Sequence, residues 1–312
     1  MPSILVTRQI PESALAVLRA AGTVELPPVP PTAEALRELV RGRDAVVTML
    51  TDKVDDALLA IAAPSLKIVA NVAVGYDNID VPAARSRNVI VTNTPDVLTG
   101  AVAEFTWGLI LGITRRLAEG DRLIRRDGWK GWSFTFMTGM ELTGKQLGII
   151  GPGRIGRAVA AGAGAFGMNV VFGARRSGGV LDGHPIVTIE EALATSDIVS
   201  LHVPLRPETR HLINRDAIGR MKKTSYLVNT ARGPIVDEAA LAGALRDGVI
   251  AGAALDVFER EPNVHPDLLP LENVLLVPHL GSATIETRTG MAELAAKNVA
   301  AVLSGQAPLT AV

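Results

Sequence analysis

The chain has 312 residues, too many for one comfortable hydrophobic core, so two domains are expected. Its formal net charge is -1 and it contains no cysteine, which argues against binding along a nucleic-acid backbone and excludes disulfides, thiolate nucleophiles and cysteine-ligated zinc. Apolar residues make up 48% and charged residues 20%, the balance of a folded α/β protein rather than a disordered chain.

Met1 to Gln9 offers one short apolar run, too brief for a signal h-region and unlike a transit peptide. No stretch approaches the roughly 20 apolar residues of a spanning helix. A soluble cytoplasmic protein with no membrane or nucleic-acid partner is expected.

From Ser3 to Asn93, the β-type runs ILVT, AVVTM, LKIVA and VIVT alternate with helical segments around Ala14 to Ala20 and Val54 to Ala62. Strands punctuated in this way predict a parallel sheet with crossover helices. The proline-rich run Thr23 to Thr32 reads as a loop. A long helical pattern follows from about Thr99 to Arg126. Its first half (Val102, Phe105, Trp107, Leu109, Ile110, Leu111, Ile113) is apolar on every side and its second half is heavily charged. That first half must be covered all round, inside the monomer or by a second copy; the second copy is the preferred reading, and it predicts a homodimer through region 99–126.

After the polar stretch Gly128 to Gly144, a second α/β series runs through QLGII, NVVF, DIVSL, SYLVN, IAGAAL and VLLV. Helices are predicted at Ile155 to Phe166, Glu190 to Ala194, Asn214 to Met221 and Asp237 to Arg246. Six such strands make a complete dinucleotide-binding sheet. The final helix, roughly Ser282 to Leu303, has no strand after it and is expected to return to the first domain.

GPGRIG directly follows QLGII and opens an apolar helical run. Gly151 permits the tight turn, Gly153 lets the backbone approach a pyrophosphate, and Gly156 lets the helix pack on the strand. The anion then sits on free N–H groups at the helix N-terminus. An NAD site would end the next strand in a carboxylate that takes the ribose hydroxyls. Here NVVF runs into Gly173, Ala174, Arg175 and Arg176, two guanidinium groups where a 2′-phosphate would lie, so NADP(H) is preferred, with NAD(H) tolerated.

Three further segments end strands of the second series with polar groups. SYLVNTARG brings Arg232, which can grip a carboxylate through two parallel hydrogen bonds. GAALDVFEREP brings Asp256 and Glu261. VLLVPHLGS brings His279, which can give or take the proton of a carbonyl or hydroxyl oxygen, with an adjacent carboxylate to fix its tautomer. His202 in LHVPL reads as a satisfied core histidine or a loop contact beside the cofactor. His184, His211 and His265 read as surface residues, and no metal is expected because no histidine pair has ligand spacing.

With these motifs in place, the chain resembles the D-isomer-specific 2-hydroxyacid dehydrogenase family, most closely its glyoxylate and hydroxypyruvate reductase branch. The resemblance runs along nearly the whole chain: VGYDNID from Val74, NTP with AVAE from Asn93, GPGRIG, HVPL with Glu208 and Thr209, NTARG with VDE, LDVFEREP and PHLGSAT. It implies an α/β architecture in which a Rossmann dinucleotide-binding domain (99–284) is inserted in a smaller flavodoxin-like parallel-sheet substrate domain (1–98 plus 285–312). It implies that Arg232 binds the substrate carboxylate and keto oxygen, that His279 is the acid/base, and that Glu261 orients and charges it. Asp256 would stand near the nicotinamide carboxamide. Further cofactor contacts are implied at Arg154, Ile155, His202, Pro204, Thr209, Thr230 and Ser282. The backbone around Val74 and Gly75, with Leu50 nearby, would hold the substrate carboxylate, and Trp132 resembles a residue that reaches a partner subunit's site. Two domains joined near residues 95 and 285 are expected to close over the substrate.

Formate and phosphite dehydrogenases share this architecture. Glu261 disfavours the first, whose histidine pairs with glutamine. Val74, where phosphite enzymes carry a lysine, disfavours the second. A nucleotide-gated corepressor is a third reading, disfavoured by the lack of long disordered tails. Gly100 stands where relatives carry a more polar residue and has no assigned consequence.

Overall fold

The computed structural model describes residues 1–312 as two compact units, one comprising Met1–Leu98 and Ala283–Val312, the other Thr99–Ser282. In the first, β1 (Ser3–Val6), α1 (Glu12–Ala21), β2 (Thr23–Glu25), α2 (Ala33–Leu39), β3 (Ala45–Thr48), α3 (Asp56–Ala62), β4 (Ile68–Asn71), α4 (Val81–Ser86) and β5 (Ile90–Thr92) follow one another. The strands form a parallel sheet in the order β2-β1-β3-β4-β5, the flavodoxin-like order. Strands covered on both faces read as unbroken apolar runs, and every residue of β3 and β4 is buried. On one face α1 and the C-terminal helix Ile285–Leu303 bury Leu15, Leu18, Ala292, Ala295, Ala296 and Val299 against Ile4, Val6 and Val47. On the other, Leu36, Leu58, Leu59 and Ala84 of α2 to α4 cover Leu5, Val46 and Val69. Side chains of Thr32, Asp55 and Asp80 cap α2, α3 and α4 by accepting N–H bonds.

The loop expected over Thr23 to Thr32 is corrected at its start. Thr23–Glu25 pairs with Ser3–Leu5 as an edge strand. Three residues fit before Pro27, and proline, which lacks the N–H a ladder needs, then ends the pairing.

The second unit begins with α5 (Thr99–Thr114) and α6 (Leu117–Arg125) and continues with β6 (Gln146–Ile150), α7 (Arg154–Ala163), β7 (Asn169–Ala174), β8 (Val180–Leu181), β9 (His184–Thr188), α8 (Ile189–Thr195), β10 (Ile198–Leu201), α9 (Arg215–Arg220), β11 (Tyr226–Asn229), α10 (Glu238–Arg246), β12 (Gly252–Leu255) and β13 (Val274–Leu276). Its sheet runs β13-β12-β11-β10-β6-β7-β9-β8, parallel except for the β8–β9 hairpin. The doubly wound strand order of a dinucleotide-binding fold is therefore complete only with β9 in third place. The six strands read from the sequence omit it, because HPIVT is short, contains Pro185 and is only partly buried.

The single helix expected over Thr99 to Arg126 is two helices. Arg116 adopts a left-handed conformation at φ 55°, and its guanidinium turns onto Glu119 at 2.7 Å and 2.8 Å. Most of the apolar first half of α5 is covered without a second copy, while Phe105 and Leu111 stay partly exposed. Val102, Ala103, Thr106, Trp107, Leu109, Ile110 and Ile113 are buried within the unit itself. Trp107 stacks on Phe166 with ring centroids 4.6 Å apart and donates its indole N–H to the Val159 carbonyl at 3.1 Å. No helix is long and apolar enough to cross a membrane.

Candidate active site

The turn between β6 and α7 is built for a close ligand. Gly151 has φ 101°, and a Cβ there would lie 2.8 Å from the His202 carbonyl, so only glycine fits. A Cβ on Gly156 would reach the Gly151 carbonyl oxygen at 2.3 Å. Gly153 differs: its Cβ would meet nothing within 4 Å. It caps α7 with no side-chain bond to the first-turn N–H groups, so this helix start, followed by Arg154 and Ile155, is open to an anion. The residues present thus fit a dinucleotide pyrophosphate.

At the end of β7, Ala174 is half-buried and Arg175 and Arg176 are exposed; neither arginine forms an ion pair. The next loop is internally braced: the Thr209 hydroxyl donates to the Pro204 carbonyl at 2.7 Å and accepts from the Arg206 N–H at 2.8 Å. Thr230 lies 3.0 Å from Thr106, hydroxyl to hydroxyl, and Ser282 is partly exposed. His202 has a partly open edge, yet burial of its imidazole pulls its pKa down to about 3, and Nε2 stands 2.8 Å from the Ser200 hydroxyl. It is therefore neutral at any working pH.

Arg232, Glu261 and His279 come from three loops that follow β11, β12 and β13, the carboxyl edge at which such sheets hold ligands. His279 Nδ1 is 3.0 Å from Glu261 Oε2 and 3.2 Å from Oε1, and the Phe258 N–H donates to Oε1 at 3.0 Å. Burial pushes the Glu261 carboxyl up. The hydrogen bond and charge of His279, the Phe258 N–H and the Arg232 guanidinium outweigh it and leave the carboxyl below its ordinary value. The loop bearing Arg232 lies tight against the segment before Glu261: a Cβ on Gly233 would sit 1.9 Å from the Phe258 carbonyl carbon.

Asp256 is 1% exposed and accepts the Leu280 N–H on Oδ1 at 2.6 Å and the Gly281 N–H on Oδ2 at 2.8 Å. Its own carbonyl accepts the His279 N–H at 2.8 Å. Burial pushes its carboxyl up despite these bonds. His279 has φ 53°, a left-handed conformation that persists only when its surroundings over-determine it, and Asp256 supplies that constraint from both sides. The sequence shows Asp256 as a polar residue at a strand end; that both oxygens are spent on the histidine loop appears only in three dimensions.

A second carboxylate pair went unread in the sequence. The Glu238 N–H donates to Glu259 at 2.9 Å and the Glu259 N–H to Glu238 at 2.7 Å, a reciprocal clasp that fixes the segment leading to Glu261. His211, expected on the surface, lies 3.3 Å from Glu259. His184 meets Phe172 edge-on at 6.0 Å, and His265 accepts the Asp267 N–H at 3.3 Å, so none of the three stands free.

Leu50, Val74 and Gly75 belong to the first unit and are partly exposed. Trp132 is 78% exposed in the irregular stretch between α6 and β6.

The model of the "D-isomer specific 2-hydroxyacid dehydrogenase, NAD binding domain" matches residues 107–281. The chain belongs to the D-isomer specific 2-hydroxyacid dehydrogenase family. Among its dehydrogenase relatives, a glyoxylate reductase of Thermofilum pendens is 49% identical over 98% of this chain and 93% of its own length. A protein of Thermus thermophilus superposes with a TM-score of 0.92 at 42% identity, covering 99% of each chain. An NADPH-dependent glyoxylate/hydroxypyruvate reductase of Sinorhizobium meliloti, solved with NADP and malonate, gives a TM-score of 0.88 at 36% identity over 100% of this chain and 96% of its own. The matched NAD binding domain spans the glycine turn, and the Arg232, Glu261 and His279 loops flank the same sheet edge.

Proposed function

We propose that this dehydrogenase reduces a small 2-keto acid, glyoxylate or hydroxypyruvate, to the D-2-hydroxy acid, with NADP(H) preferred over NAD(H). The observation that carries the reading is the His279–Glu261 pair, 3.0 Å apart at the carboxyl edge of the sheet whose central strand opens into the glycine turn. A carboxylate on Nδ1 fixes that side of the ring and leaves Nε2 as the atom that exchanges a proton with substrate. When bound, the reduced nicotinamide supplies the hydride that adds to the keto carbon. His279 delivers the proton to the keto oxygen, so that one hydride and one proton make the alcohol. Arg232 grips the carboxylate and meets the charge that builds on that oxygen. In the first unit, the backbone at Val74 and Gly75, with Leu50, is read as a carboxylate-binding element.

The Gly151, Gly153 and Gly156 turn with Arg154 and Ile155 would hold the pyrophosphate, and Arg175 and Arg176 beside Ala174 a 2′-phosphate. His202, Pro204, Thr209, Thr230, Asp256 and Ser282 would line the rest of the dinucleotide. Relatives named glyoxylate reductase, and the relative solved with NADP, support this reading. Following reduced-nicotinamide absorbance with NADPH and NADH, each against glyoxylate, hydroxypyruvate, pyruvate and a bulky aromatic keto acid, tests it. Turnover confined to the aromatic acid, or none at all, would overturn it.

A homodimer also forms part of the reading, carried by the last part of region 99–126 and the residues that follow it. Leu117, Ile124, Trp129, Trp132, Phe134 and Phe136 are all exposed within twenty residues of chain, an apolar concentration that monomers rarely leave bare. Sedimentation of wild type beside Trp132→Ala with Phe134→Ala tests it: a dimer that the double variant weakens is expected, and a monomeric wild type sinks the idea.

A further inference from the structure

In the first unit, three consecutive carbonyls of one loop are each claimed by a different donor. The Ala73 carbonyl accepts the Thr94 N–H at 2.9 Å, the Val74 carbonyl accepts Asn93 Nδ2 at 2.8 Å, and the Gly75 carbonyl accepts Asn71 Nδ2 at 3.0 Å. A trans peptide is planar, with its N–H directed opposite to its C=O. Each bond therefore turns the N–H of the following residue, Val74, Gly75 and Tyr76 in succession, away from the group that holds the carbonyl. None of these three N–H groups donates to an acceptor within the chain. Successive outward N–H groups are an anion-binding device.

The holders are themselves held. Asn71 is fully buried at the end of β4, where Oδ1 accepts the Thr48 hydroxyl at 3.1 Å and Nδ2 also donates to Asn78 at 3.1 Å. Asn78 in turn donates to the carbonyls of Met49 at 3.1 Å and Asp52 at 2.9 Å, which joins the Leu50 loop to the same frame. Asn93, just after β5, is pinned by its main chain: its carbonyl accepts the Thr310 hydroxyl at 2.7 Å. Its side chain makes one bond, to Val74.

We propose that Asn71 and Asn93 are positioning residues for substrate capture: by tying back the Gly75 and Val74 carbonyls, they present the N–H groups of Val74, Gly75 and Tyr76 to the carboxylate of a 2-keto acid. The inference rests on the keto-acid reading above and adds to it the residues that set the loop. A side chain that only stabilised the fold would change melting and leave substrate affinity alone.

Asn93→Leu, nearly isosteric, removes that single bond and leaves the main-chain anchors in place. The expected result is a KM for glyoxylate raised about tenfold, with kcat changed less and the NADPH dissociation constant unchanged. Oxalate, titrated calorimetrically onto the NADPH-loaded protein, should weaken by the same factor. Unaltered KM and oxalate affinity in a folded Asn93→Leu protein would overturn the proposal. If the variant folds poorly, the wild-type amide resonances of Val74, Gly75 and Tyr76 decide during oxalate titration: selective shifts support the proposal, and none overturns it. A wild type that reduces no 2-keto acid would defeat the functional reading, while the oxalate titration would still judge the loop.

Discussion

His279 holds a left-handed backbone conformation at φ 53° with its Nδ1 3.0 Å from Oε2 of Glu261, eighteen residues back along the chain. The pairing commits Nδ1 to the carboxylate and leaves Nε2 as the atom that can exchange a proton with substrate. Asp256 fixes the backbone on both sides of His279, so the imidazole is aimed by two carboxylates with separate tasks.

Replacing the proton donor should leave binding intact and cripple turnover. His279→Ala is expected to lower keto-acid reduction by about 10²- to 10⁴-fold, while NADPH binding, followed by its fluorescence, keeps its wild-type strength. Unchanged turnover would remove His279 from the chemistry.

Glu261→Gln removes the carboxylate that holds Nδ1 and orients the imidazole. Keto-acid reduction should slow by about tenfold or more while NADPH binding is unchanged, and His202, neutral with a pKa of about 3, cannot take over the proton transfer. Because the folded Glu261 carboxyl lies below its ordinary value, its contribution to stability is present above the unfolded value and is lost as pH falls through the folded one. The variant should therefore show a shallower loss of stability on acidification. Turnover equal to wild type counts against the pairing.

Arg175→Ala should weaken NADPH more than NADH, since the exposed guanidinium at the end of β7 has a 2′-phosphate to pair with only in the first. Dissociation constants for both cofactors measure this, and equal losses would show that the loop does not read the phosphate.

Asp256→Ala strips the acceptors from the Leu280 and Gly281 N–H groups. Each buried donor left unpaired costs about 1–3 kcal/mol, and relief of the carboxylate's own desolvation offsets part of that, so a loss of about 2 kcal/mol is expected in urea denaturation. Activity should fall as well, because His279 is released from its left-handed turn. A variant as stable and as active as wild type would show that the loop holds itself.

The motifs of this chain were legible because their chemistry is local. GPGRIG needs glycine at Gly151, where the backbone turns at positive φ, and at Gly156, where a Cβ would strike the Gly151 carbonyl, and those demands fall within six residues. Arg232, Glu261 and His279 each sit just beyond a buried apolar strand, so they could be named from the strands themselves, and the Nδ1–carboxylate distance then joined two of them. The weaker readings were those in which a segment's partner lies far along the chain. Thr23–Glu25 is a strand only because Ser3–Leu5 lies beside it, and β9 completes the sheet despite a sequence too short and polar to announce itself.

Family, two-part organisation and reactive residue types can all be read along the chain, since apolar periodicity and glycine spacing act over a few residues. Folding adds that most of α5 is covered from within its own unit, that Asp256 is spent on the histidine loop, and that Asn71 and Asn93 tie back a loop of backbone carbonyls. Hydrogen bonds across 19 positions for Asn93, 23 for Thr48 on Asn71, 24 and 25 for Asp256 and 52 for Trp107 depend on which elements become neighbours in space, and no repeating pattern along the polypeptide encodes that.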